Sequence, residues 1–153
     1  MIAEIAYPIA LVGSLLWFAA AFRYFSFQHY AAAKVFVPRS ARTSPIFPTI
    51  AVLTRFLGGM NAAFALLSLV LLMIWFADLD LFKRPSERGV LLIVLSAAHF
   101  SQFIFNVPIL RNGERRGESF WNVLSGPMLF IFVIDAVETL LNGIAGILQF
   151  LGA

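Results

Sequence analysis

The sequence predicts an all-α integral membrane protein: four transmembrane helices in an antiparallel bundle, with both termini on the non-cytoplasmic side. Three observations predict it. Of 153 residues, 61% are hydrophobic and only 12% are charged, where a soluble domain carries about 25% charged residues. Mean hydropathy is +0.89. Four stretches bounded by charge, 5–22, 56–77, 89–110 and 119–153, are uncharged except for Asp135 and Glu138 in the last. A spanning helix needs about 20 apolar residues, and all four qualify. Finally, the basic residues are unevenly divided. Eight (Arg23, Lys34, Arg39, Arg42, Arg55, Arg111, Arg115 and Arg116) flank the first and third connections, against three (Lys83, Arg84 and Arg88) at the second. Cytoplasmic loops carry the excess, so loops 1 and 3 are expected to be cytoplasmic. The pattern fits a bacterial inner membrane.

Lipid leaves no option for open strands, so each stretch reads as a helix. The spans are placed at about 5–25, 49–77, 88–110 and 124–150, in one domain covering 1–153. The first begins with Glu4 and meets its first Arg only at Arg23. That is the wrong polarity for a cleaved signal, so it is expected to be retained. Residues 25–36 continue the helical pattern as an interfacial extension. Pro38, Pro45 and Pro48 then break it, with Pro48 opening the second span. The third connection, 111–118, reads as a polar turn reversing at Asn112-Gly113. Short loops make sequential spans neighbours. Tyr24, Phe25, Phe27, Tyr30, Trp75, Phe76, Phe120 and Trp121 fall where interfacial aromatic belts are expected.

Composition excludes several classes. With no cysteine, there is no disulfide, thiolate chemistry, iron–sulfur cluster or Cys-type zinc site. The net charge of +3, confined to short loops, suits topology control rather than nucleic-acid binding. Almost the whole chain is accounted for by spans and short loops, leaving no room for a separate soluble domain.

Asp135 and Glu138 are the most informative residues. A carboxylate at membrane depth costs roughly 2.5–3.5 kcal/mol on insertion scales, so it is usually paired and often functional. Asp135, Glu138 and Asn142 stand at offsets 0, 3 and 7 in the fourth span, as do His99, Gln102 and Asn106 in the third. Each trio shares one helical face. A rise of 1.5 Å per residue puts His99 and Gln102 about 12–16 Å deep, level with Asp135 and Glu138. Asn61 falls near the same depth, and Arg55 reaches inward along its stem. These six can converge in one pocket, with His99, Asp135 and Glu138 as candidate catalytic groups. Arg55, Asn61, Gln102, Asn106 and Asn142 would form a ligand-binding or polar seam. Interhelical bonds among such side chains also serve as glue, at about 0.6 kcal/mol each. Gly58, Gly59, Ala62 and Ala63 in the second span, and Gly143 and Gly146 in the fourth, read as close-packing positions. His99, Asp135 and Glu138 are three N/O donors, but the Glu-x-x-His signature of a di-iron bundle is absent. A bis-His haem would need His29, roughly 15 Å of helix rise away. Neither metal nor haem is therefore expected.

The stretch Thr54-Arg55-Phe56-Leu57-Gly58-Gly59, with Ala98-His99-Phe100 in the next span, resembles two groups of small four-helix membrane proteins. These are the ergosterol-biosynthesis scaffold family of the endoplasmic reticulum and the DoxX-like set of bacterial membrane proteins. The resemblance covers the second and third spans and leaves the fourth, with Asp135 and Glu138, outside it. It implies a non-enzymatic protein that gathers other membrane proteins, with Arg55 and His99 at the matching positions. Arg55 and Asn61 also echo the four-helix glutathione-transferase-like membrane family, but the acidic residue expected soon after the Asn is absent.

Three readings follow. The first is an accessory or scaffold subunit, packing through its spans against other membrane subunits or itself. The second is an enzyme or binding protein for a lipophilic small molecule, using the His/Asp/Glu cluster, because two carboxylates beside an imidazole suit acid–base work. The third is proton-coupled transport by an oligomer, with the seam as relay.

Overall fold

Apolar periodicity dictates where the helices face, and proline marks several of their starts and breaks. The computed structural model describes residues 2–116 and 121–152, the side chains of 112–116 excepted. All regular structure among the described residues is helical, and four helices are long and apolar enough to cross a membrane. The first, α1 (Ile2–Phe27), buries Tyr7, Ala10, Leu11, Ser14, Phe18, Ala21 and Phe25, a stripe at 3–4-residue spacing as one helical face requires. Helical geometry lapses at Gln28 (φ −111°, ψ 33°), and the short α2 (His29–Phe36) follows. It stops because Val37 precedes Pro38, which disfavours helical backbone there; Val37 is extended, at φ −109° and ψ 122°. The freed carbonyls of Val37 and Lys34 accept hydrogen bonds from the Arg42 side chain at 2.9 and 2.7 Å, a cationic cap on the helix end. The extension expected at 25–36 is thus the last turn of α1 plus a separate helix.

The helix α3 (Phe47–Phe76) carries proline near its N-terminus, where the missing N–H costs nothing. Its buried face is built from small and polar residues, among them Ala51, Thr54, Gly58, Asn61, Ala65 and Ser68. α4 (Pro85–Ile104) also opens on a proline, and the Glu87 carboxylate accepts the Arg84 backbone N–H at 3.4 Å. A break at Phe105 separates it from α5 (Asn106–Arg116). Pro108 explains the break: it has no N–H for the Ile104 carbonyl, and its ring crowds that oxygen. α6 (Gly126–Leu151) completes the set.

One expectation is corrected here. The polar turn at Asn112-Gly113 does not form, because α5 runs through both residues to Arg116. The preceding proline had already supplied the break, and Gly inside a helix costs only about 1 kcal/mol. Glu118 and Phe120 lie outside the described residues.

The helices do not pack as a simple chain of sequential neighbours. α1 is central, packing on α3 and on α6, and α6 packs on α4. α3 and α4, although consecutive, scarcely meet. Near the α1 N-terminus the space between them is filled by a core that includes Leu71, Leu72, Leu92 and Leu95 with Tyr7 and Leu11. Toward the α1 C-terminus the space is left open.

Contacts at the α1 N-terminal end tie four helix ends together. Arg88, at the start of α4, donates to Glu4 at 3.1 Å and lies 4.5 Å over the Trp75 ring. Gln149, near the end of α6, donates to the Ala3 carbonyl at 2.6 Å. Tyr7 packs its ring 5.4 Å from that of Trp75, at the end of α3.

Candidate functional site

The two acidic residues of α6 face inward because they share its buried stripe. Asp135, Glu138, Asn142 and Gln149 are all buried, and their spacing of 3, 4 and 7 residues keeps them on one side. α4 brings His99, which is fully shielded from solvent. His99 Nδ1 lies 3.4 Å from Asp135 Oδ1.

The first helix supplies what sequence reasoning missed. Trp17 Nε1 donates to Asp135 Oδ1 at 2.7 Å. Ser14 Oγ lies 3.2 Å from His99 Nε2 and accepts from Asn142 Nδ2 at 2.9 Å. Asn142 Nδ2 also reaches Glu138 Oε2 at 3.2 Å. Trp17 donates to Asp135 and Asn142 donates to Ser14 and Glu138; the single Ser14 hydroxyl proton, 3.2 Å from both His99 Nε2 and Asn142 Oδ1, serves one of the two, and Asp135 Oδ2 is left without a partner. Gly13 makes the room, since a Cβ there would stand 2.5 Å from Glu138 Oε1. The readable signal was modest: Gly13, Ser14 and Trp17 share a face, and Trp17 sits mid-span rather than in an interfacial belt.

Ser14, His99 and Asp135 have the connectivity of a hydrolytic triad. Burial argues against that chemistry, because all three are fully shielded and none lines the cavity described next. What the cluster does physically is rivet α1, α4 and α6 together. Ser96 adds to it by donating to the Thr139 carbonyl at 2.8 Å. Gly143 and Gly146 permit the approach: a Cβ at Gly143 would lie 3.2 Å from Ser96 Oγ, and one at Gly146 3.1 Å from Ile93. None of these hydrogen bonds includes α3.

The remaining seam residues lie elsewhere. Asn61, Gln102 and Asn106 line a cavity of about 390 Å³ in the open space between α3 and α4. Most of its wall is apolar, with Phe25, Phe36, Phe64 and Trp121 contributing rings. Phe18 divides it from the ionisable cluster. Its ring stacks on Phe64 at 5.1 Å and on His99 at 4.3 Å. Exposed Met60 and Phe105 form the rim. Arg55 joins neither site; it is exposed on the outer face of α3, beside Val52, Phe56, Gly59 and Ala63. Among the described residues, no group of three or more His, Cys, Asp or Glu side chains is arranged to hold a metal ion.

The small-residue positions also divide. A Cβ on Gly58 would overlap Ser26 Oγ and stand 2.8 Å from the Ser26 backbone N, so α3 meets α1 there at backbone distance. A Cβ on Gly59 would meet nothing within 4 Å. Ala62 is half-buried and Ala63 exposed.

No protein-family model, curated protein or solved structure matches the chain.

Proposed function

We propose that this chain is an integral membrane protein that binds a lipophilic small molecule in the cavity between α3 and α4. The cavity carries the reading. At about 390 Å³ it falls in the usual range for small-molecule sites, about 300–1,000 Å³, and it has their usual composition of apolar walls with few polar groups. Its rim lies between two helices that scarcely meet, so a lipid-soluble molecule enters sideways from the bilayer. In this proposal the four spans are antiparallel, both termini are non-cytoplasmic and loops 1 and 3 face the cytoplasm of a bacterial inner membrane. Gathering of the starts of α1 and α4 with the ends of α3 and α6, through Glu4–Arg88, Tyr7–Trp75 and Gln149–Ala3, supports that arrangement.

The buried cluster has a supporting role here. It fixes α4 and α6 to α1 while α3 is held to α1 from the other side, so the gap stays open without a ligand to prop it. Preorganisation of this kind lowers the ordering cost of binding. The test is purification in nanodiscs from the native membrane, with mass spectrometry of bound small molecules. Ser101 of α4 lines the same cavity and is exposed; wild-type protein is expected to carry a lipophilic compound, and Ser101→Trp, which fills the opening, is expected to lose it while melting at an unchanged temperature. An empty wild-type protein, or a Ser101→Trp variant that still carries the compound, refutes the reading.

A second reading, an accessory or scaffold subunit, has its own observation. The outer face of α3 exposes Val52, Phe56 and Met60 around the open Gly59, and Arg55 stands beside them. A partner span would pack closely there. Of the stretch 54–59, Arg55, Phe56 and Gly59 lie on this face, whereas Thr54 and Gly58 are buried against α1. Gly59→Leu is then expected to release a stoichiometric partner from the purified complex; co-purification unchanged by that substitution counts against this reading.

A further inference from the structure

Most polar groups of the cavity wall are spent within the protein. Asn106 Nδ2 donates to the Gln102 carbonyl at 2.9 Å, and its Oδ1 accepts from Trp121 Nε1 at 3.1 Å. Asn61 Nδ2 donates to the Leu57 carbonyl at 2.7 Å, and its Oδ1 is sealed inside the protein. The Ser101 hydroxyl gives its proton to the Ala98 carbonyl at 2.7 Å.

Gln102 is different. Its side-chain amide makes no hydrogen bond to a described residue. The residue is half-buried and lines the cavity, and neither of its polar atoms is sealed off. On α4 the lining positions Ala98, Ser101, Gln102, Phe105 and Asn106 share one helical stripe, as their spacing requires. Gln102 stands at its centre, between exposed Ser101 and Phe105 and buried Asn106. It lies nine residues before Arg111, about 14 Å of helix rise into the membrane. Hydrocarbon offers no partner to an amide at that depth, so the molecule that fills the cavity is the partner left to it.

The rest of the wall restricts that molecule further. None of the lining side chains is charged. A charged ligand would lose its hydration there with no counter-ion to replace it, which rules out a phospholipid headgroup or an ionised fatty acid. Ring faces from Phe25, Phe36, Phe64 and Trp121 favour a flat ring.

We infer that the cavity takes an uncharged, ring-bearing lipophile with an oxygen at its polar end, and that this oxygen accepts a hydrogen bond from the Gln102 side-chain amide. The inference rests on the binding function proposed above and narrows it. Gln102 Nε2 carries two N–H donors, so a ketone, a quinone carbonyl or a hydroxyl serves equally, and a pure hydrocarbon does not.

The experiment compares 2-acetylnaphthalene with 2-isopropenylnaphthalene, in which a CH2 group replaces the carbonyl oxygen and the shape is kept. Each is dialysed to equilibrium against the full chain in dioleoylphosphatidylcholine nanodiscs, with empty nanodiscs subtracting lipid partition. Wild-type protein is expected to bind the ketone about tenfold more tightly, the ratio that about 1.4 kcal/mol supplies. Gln102→Met keeps the side chain's length and helix propensity but has no N–H. In that variant the ketone is expected to weaken to within about twofold of the hydrocarbon, whose own binding is unchanged. Weakening of both probes together, or a preference for the ketone that survives Gln102→Met, overturns the role given to Gln102. Equal binding of both probes by wild-type protein overturns the oxygen inference; where Ser101→Trp abolishes that binding, the cavity stands as a binding site. Absence of binding of either probe beyond lipid partition overturns the inference together with the function it rests on. Where Gln102→Met fails to fold, Gln102→Leu makes the same comparison.

Discussion

Gly58→Ala is expected to destabilise the protein by about 1–3 kcal/mol, while Gly59→Ala, one residue along, leaves it unchanged or slightly more stable. The first change drives a Cβ against Ser26, and the obstacle includes the Ser26 backbone N at 2.8 Å and Cα at 3.1 Å. The hydroxyl can rotate aside, but the backbone cannot, so α1 and α3 must separate. Overpacking of this kind costs about 1–3 kcal/mol. Gly59 has open space around its would-be Cβ, and Gly→Ala inside a helix gains roughly 0.5–1 kcal/mol. Thermal unfolding of both variants in detergent checks the pair. Similar melting temperatures for the two would mean that α3 does not meet α1 at backbone distance. The consequence extends to the cavity, since α3 forms one of its walls and α1 is the helix on which α3 rests.

That contrast marks the limit of what was readable in the sequence. Gly58, Gly59, Ala62 and Ala63 form one small-residue pattern, and a pattern at spacing 4 states that a close approach is possible on some face. It does not state which glycine is used, because adjacent residues point about 100° apart on a helix. The existence of four long apolar helices was legible for a simpler reason: charge bounds every stretch. Pro108 carries the signal for the α4–α5 break, whereas Asn112-Gly113, the stronger turn signal in isolation, stays helical. Helix order in the bundle was the larger gap. Short loops imply sequential neighbours, yet α3 and α4 scarcely meet, and the cavity exists only because of that exception.

The candidate site was half legible. Offsets 0, 3 and 7 put Asp135, Glu138 and Asn142 on one buried face, and His99 opposite Asp135. The same logic applied to α4 treated His99, Gln102 and Asn106 as one site. In the structure Phe18 stands between them, stacked on His99 on one side and on Phe64, a cavity wall, on the other. A single aromatic from the first helix thus separates a charged cluster from an apolar cavity. No periodicity within α4 reveals it.

Asp135→Ala is expected to cost about 2–4 kcal/mol and to be the most damaging substitution in the cluster. Two donors converge on its Oδ1, Trp17 Nε1 and His99 Nδ1, and both would be left without this acceptor, the half-buried Trp17 and the fully buried His99. Orphaning a buried donor costs about 1–3 kcal/mol. Single interhelical bonds in membrane bundles average about 0.6 kcal/mol, because the unfolded helices find other partners; losing two at once, with a void beside them, brings the sum into the stated range. Asp135→Asn is expected to cost less. One oxygen of Asp135 already lacks a partner, so the amide nitrogen can take that position while the amide oxygen still accepts from Trp17. Glu138→Ala should also be milder, since Glu138 accepts a side-chain bond only from Asn142 and is 8% exposed. Thermal unfolding of the three variants, with the emission maximum of Trp17 in a background of Trp75→Phe and Trp121→Phe, measures the order. Equal losses for Asp135→Ala and Glu138→Ala would show that the Trp17–Asp135–His99 junction is not what joins α1 to α4 and α6. If the order holds, probe binding in the cavity should fall with Asp135→Ala although Asp135 lines no part of it, because α4 is then free to close on α3.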